Sequence, residues 1–136
     1  MRLLVLAPEA VDAGLLRREL GDEIEGAEVR VVAPALNESP LAFWMSDSDE
    51  AIAEAQQAAA GTGRAAEEAG AEHAETDTGE SEPLTALHDA LATFRADRVA
   101  VFVHARDEQR YREDQFLEAA SERFGLPISQ HVLPEN

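Results

Sequence analysis

The sequence predicts an α/β protein, with a five-stranded parallel sheet covered by helices on both faces. Three observations carry that reading. Short apolar runs, at residues 3–7 and 98–104 above all, alternate with segments whose apolar residues recur at helical spacing. The runs are continuous, as in strands buried on both faces, and do not alternate as half-exposed strands do. Glycine or proline closes several segments, at Gly21, Pro34 and Gly125.

Each element follows in order. Residues 3–7 form the first strand. Val11, Leu15, Leu16 and Leu20 then fall on one helical face, and Gly21 ends that helix. Residues 28–34 (EVRVVAP) make a valine-rich second strand closed by proline. Ser46, with Asp49 three residues on, offers a capping box before an alanine-rich helix over residues 50–69. Residues 71–77 are read as the third strand from their position between two helices. Ser81 caps the next helix, Pro83 sits in its first turn, and Leu84, Leu87, Leu91 and Phe94 form its apolar stripe. Residues 98–104 (RVAVFVH) are the strongest strand signal. A last helix over residues 108–124 turns Phe116, Leu117, Ala120 and Phe124 inward and stops at Gly125 and Pro127, before a final strand at 128–133. Strands linked through helices pair in parallel with right-handed crossovers, so residues 1–136 are expected to form one three-layer α/β/α domain. Open sheets of this kind bind ligands beyond the carboxyl ends of their strands, where the winding reverses.

One region departs from the pattern. Between residues 53 and 83 there is no Val, Ile, Leu, Met, Phe, Trp or Tyr. Gly61 and Gly63 within it would each cost a helix about 1 kcal/mol relative to alanine. A flexible acidic linker is one reading; an αβ unit is the other, and the flanking elements require the second.

Composition excludes several functions. Eleven basic residues face 28 acidic ones, for a net charge of −17. So negative a chain repels phosphate backbones and anionic lipids, which argues against nucleic-acid or membrane partners. There is no cysteine, so disulfides and thiolate chemistry are excluded. All the basic residues are arginine, which removes a P-loop lysine, a Schiff-base lysine and the lysine of a receiver domain. The apolar start is cut short at Pro8 and Glu9, too early for a secretory signal, and no run approaches a membrane span; a cytoplasmic, soluble protein is expected.

Few residues carry a chemical signal. His104 closes the strongest strand beside the expected crevice, either as a ligand-binding or basic group or as a strand-end cap. Arg106, Arg110 and Arg112 could fork onto an anion, but Asp107, Glu108, Glu113 and Asp114 interleave with them. His73, His88 and His131 lack metal-ligand spacing or an acidic partner, so no metal site is expected. The serines lack a nucleophile-elbow context, and no carboxylates form a recognisable catalytic pair. Leu41, Phe43, Trp44 and Met45 follow Pro40 without strand or helix periodicity; they are either a lid over the strand ends or a partner surface. If a ligand occupies the crevice, Ala7, Pro8, Glu9, Ala33, Pro34, His104 and Arg106 are expected to line it and to favour a small neutral or cationic molecule.

The sequence from Gly79 to Leu84 (GESEPL), followed by Leu87, Leu91, the Ala96-Asp97 pair, the apolar residues 99–103 and His104, resembles the universal stress protein family. The likeness extends loosely from Leu3 to Leu133 and includes Gly125-Leu126-Pro127-Ile128. It implies strand order 3-2-1-4-5 and a homodimer joined along the final strand at Ile128, Ser129, Gln130, His131 and Val132. ATP-binding members carry a glycine loop after the fourth strand, yet no glycine occurs here between Gly79 and Gly125. Pro8-Glu9-Ala10 also replaces the family's acidic stretch after the first strand. The expected function is therefore a non-enzymatic binding or regulatory module without ATP or another cofactor, acting as a homodimer and open to a further protein partner. The alternative is a nucleotide- or small-anion-binding enzyme using the crevice near His104 and Arg106.

Overall fold

The structure, a computed structural model, describes residues 1–34, 48–79, 83–104 and 116–133. Along them run β1 (Arg2–Leu6), α1 (Ala13–Leu20), a 3₁₀ segment (Gly21–Ile24), β2 (Glu28–Pro34), α2 (Ser48–Glu68), β3 (His73–Gly79), α3 (Pro83–Thr93), β4 (Arg98–His104), α4 (Phe116–Phe124) and β5 (Ile128–Leu133). The five strands are all parallel, in the order β3-β2-β1-β4-β5, as expected. Between β1 and β4 the winding reverses. The capping residues Ser46 and Ser81, and the part of the last helix before Phe116, lie outside the described residues.

The continuous apolar runs are explained by two cores, one on each side of the sheet. Leu3, Val5 and Ala7 join Val29, Val31, Ala33, Ala100 and Phe102 beneath α1 and α2. Leu4 and Leu6 join Val32, Val99, Val101 and Val103 beneath α3 and α4. Leu87 of α3 and Phe94 just after it are buried, while Leu84 and Leu91 pack at the core's margin. In α4, Phe116 and Ala120 point inward. Helix α1 begins at Asp12, whose carboxylate accepts the Leu15 N–H at 2.7 Å, and ends at Gly21, where φ is +59°.

The region without large side chains is a helix and a strand, so the linker reading is set aside. Helix α2 turns Ala55, Ala58, Ala59, Thr62, Ala65 and Ala66 against the sheet. Small side chains bury little area each, and the helix compensates by lying close. A Cβ on Gly63 would stand 2.6 Å from Thr76 Cγ2 of β3, and one on Gly61 would stand 3.0 Å from Ala10 Cβ. Arg17 of α1 donates to the Glu68 carbonyl, meeting the negative end of α2. The third strand starts two residues later than its expected position. Gly70, at φ +118°, turns the chain, and the Glu72 N–H donates to Ala27 O before pairing with β2 begins at Glu28 and His73.

The two sheet edges differ. Strand β3 (HAETDTG) is largely exposed and carries two acids. Its Glu75 accepts from Arg30 at 2.7 Å, and that hydrogen bond and charge hold its carboxyl below the ordinary range. The pair's contribution to stability is therefore present above the ordinary carboxylate pKa and lost as pH falls through the depressed one. Strand β5 (ISQHVL) contains no Asp, Glu or Arg. The Val99 N–H donates to Pro127 O, and Val99 is the partner of Ile128. Continuing that parallel ladder turns the N–H groups of Ser129 and His131 toward β4 and those of Ile128, Gln130 and Val132 outward.

The close approach of α2 is testable at Gly63. Alanine there gains about 1 kcal/mol of helix propensity, but overpacking typically costs about 1–3 kcal/mol. Gly63→Ala is expected to lower the urea midpoint of unfolding. A raised midpoint would show that the helix can back away from Thr76 at little cost.

Candidate functional site

The crevice lies at the carboxyl ends of β1 and β4, where the winding reverses and side chains from non-consecutive elements meet. Its floor is main chain and small side chains. Ala7 and Ala33 are 1% and 0% exposed, and Pro34 is buried beside them at the end of β2. The Ala7 N–H donates to Val32 O, which fixes the last turn of chain leaving β1. Pro8 is half-buried, and Glu9 and Ala10 rise from the floor as one lip.

That lip is held from below by α2. Thr62 is fully buried, and its Oγ1 accepts the Val11 N–H at 3.0 Å. Gly61 lets the helix come against Ala10. With Asp12 capping α1, residues 10–12 are tied at both ends, and Glu9 is set by its neighbours.

Against Glu9 stands His104, the last residue of β4. Its Nε2 lies 3.8 Å from Glu9 Oε2, with 22% of the histidine side chain and 54% of the glutamate side chain exposed. That separation is an ion-pair distance when the imidazole is protonated and is too long for a hydrogen bond. Chemically the arrangement offers a carboxylate acceptor and an imidazole side by side at the strand ends.

Of the seven expected lining residues, the structure brings six to one place. Ala7, Ala33 and Pro34 are buried, while Pro8, Glu9 and His104 keep part of their surface exposed. Arg106 lies outside the described residues, as do Leu41, Phe43, Trp44 and Met45. Among the described residues no three His, Asp or Glu side chains gather as a metal site.

No family model matches the chain, and comparison with curated proteins finds no match.

The reading of the other histidines needs correction, because acidic partners are present. His73 Nε2 lies 3.7 Å from Glu75, and His88 Nδ1 lies 3.5 Å from Asp89. His131 Nδ1 lies 3.0 Å from Glu19 Oε2, a contact between residues 112 apart in the chain. Its Nε2 lies 2.8 Å from Ser129 Oγ. No spacing rule reaches a partner that distant in sequence. The local sign was the pair Ser129 and His131, two apart on one strand and therefore on one face.

Removing the hydroxyl that holds the lip should be costly. Thr62→Val keeps the shape of the side chain but leaves the Val11 N–H buried without its acceptor, a loss of about 1–3 kcal/mol. Urea unfolding should show that loss, with faster hydrogen exchange at residue 11. Unchanged stability would mean that the hydrogen bond does not hold the lip.

Proposed function

We propose that this chain is a divergent module of the universal stress protein kind: a cytoplasmic homodimer that binds a small neutral or cationic molecule and does not bind ATP. The observation that carries the reading is Glu9 beside His104, 3.8 Å away, at the switch point of the sheet. A carboxylate there, on a chain of net charge −17, opposes triphosphate both locally and at long range. The sequence after β4 offers no glycine loop to compensate. No catalytic step is assigned to the crevice. No helix among the described residues is long and apolar enough to cross a membrane.

The dimer reading is supported by the uncharged β5 edge. Strand edges without charge or cover tend to pair, and among the described residues no strand pairs with the outer side of β5. A two-fold related copy would meet it through the outward backbone groups of Ile128, Gln130 and Val132.

Two measurements test these claims separately. Sedimentation velocity over a range of concentrations should show a dimer. Gln130→Pro, which removes an outward N–H while leaving the β4 ladder intact, should weaken association by roughly 10-fold or more. A monomer at every concentration would refute the assembly. Calorimetry with Mg-ATP should show no binding below millimolar concentration. Micromolar binding abolished by Arg106→Glu would instead support the nucleotide-binding enzyme.

A further inference from the structure

The face of β4 and β5 beneath α1 carries a chain of polar side chains that neither the crevice nor the strand edge uses. A carboxylate only accepts hydrogen bonds. In the neutral ring His131 Nδ1 therefore carries the hydrogen and donates to Glu19, which leaves Nε2 to accept from the Ser129 hydroxyl. From the other side Arg98 Nη2 donates to Ser129 Oγ at 3.0 Å, while its Nη1 is paired with Glu23.

The groups are held in place. The imidazole stacks on Phe102 with ring centroids 5.1 Å apart, and its side chain is 10% exposed. Arg98 is fixed by Glu23 at one nitrogen and Ser129 at the other. Ser129 itself is half-buried. It projects from the sheet face, whereas edge pairing would use backbone groups of its neighbours.

A hydroxyl, a base within hydrogen-bond distance of it and a carboxylate that orients the base are the parts of an activated serine. We propose that Ser129 is a nucleophile that takes the acyl group of small esters, with His131 as its base, Glu19 as a positioning residue and Arg98 beside the developing negative charge. Oγ attacks the ester carbonyl carbon while its proton passes to His131 Nε2. The carbonyl π pair moves onto oxygen, next to the Arg98 guanidinium. That pair then returns, the bond to the alcohol oxygen breaks, and the departing oxygen takes the proton from Nε2. The products are an acyl ester on Ser129 and one free alcohol, with the imidazole neutral again. This site does not depend on the crevice or on dimerisation.

The test uses the whole chain with p-nitrophenyl acetate, following p-nitrophenolate release and mapping acetyl groups by peptide mass. One acetyl per chain should appear on Ser129, with release stoichiometric with protein, while exposed Ser121 stays unmodified. The rate should rise with pH, as for any attack that needs an unprotonated base. Ser129→Ala should abolish that release, and His131→Gln should slow it by roughly 100-fold or more, as expected for loss of a general base. Glu19, with 31% of its side chain exposed, can be changed with less risk to folding; Glu19→Gln should slow acylation with circular dichroism and melting temperature unchanged. Absence of acetyl on Ser129 in the folded protein would overturn the proposal. So would labelling of Ser121 at the same rate, or a Ser129 rate independent of pH and unchanged in Glu19→Gln.

Discussion

Much of the molecule follows from the close contact between α2 and the sheet. A helix that offers only alanine, threonine and glycine to a sheet gains from dispersion only if its backbone comes near, because attraction falls steeply with small gaps. Gly61 and Gly63 permit that approach, and Thr62 between them is buried with its hydroxyl on the Val11 N–H. The same three residues thus seal one core and fix the chain leaving β1. Glu9 stands opposite His104 because of this packing, so the geometry of the crevice depends on a helix that does not itself line it.

Charge is distributed along the strands in a way that separates the two ends of the sheet. Arg2, Arg30 and Arg98 occupy the first, third and first positions of β1, β2 and β4. Each is occupied by an acid: Glu28, Glu75 and Glu23 respectively. Arg2 and Arg30 also lie over the Phe94 ring at 4.6 and 5.1 Å, closing the second core at its amino-terminal end. Arg2 and Arg30 are therefore committed to structure far from the carboxyl ends, and Arg98, held by Glu23, stands at that same amino-terminal end of the sheet. What those ends present is a carboxylate and an imidazole.

The sequence was most legible where one physical cause dominates. Strands β2, β4 and β5 occupy the residues their apolar patterns indicate, because burial on one or both faces leaves a periodicity that can be read locally. Helix α2 was harder, since its partner surface, not its own hydrophobicity, makes it a helix; Gly63 reads as a defect until Thr76 is seen beside it. In the crevice, strand topology was enough to bring Glu9 and His104 together as candidates, though not to give their separation. The link from His131 to Glu19 was invisible for a different reason. It joins the last strand to the first helix, and only the placement of β5 beside β4, under the end of α1, creates it.

The contrast between the two edges also bears on how far this sheet can grow. A strand edge that pairs with its own copy across a two-fold axis uses itself up, and the assembly stops at two chains. Pairing between unlike edges, β3 of one chain against β5 of the next, would leave a free edge at each end and could continue as a filament. Glu75 and Asp77 on β3 oppose that second mode, because adding a strand there would bring carboxylates of an already acidic chain into a confined contact. Acids on an apparently idle edge would thus act as a terminator, one that keeps a parallel sheet from becoming open-ended.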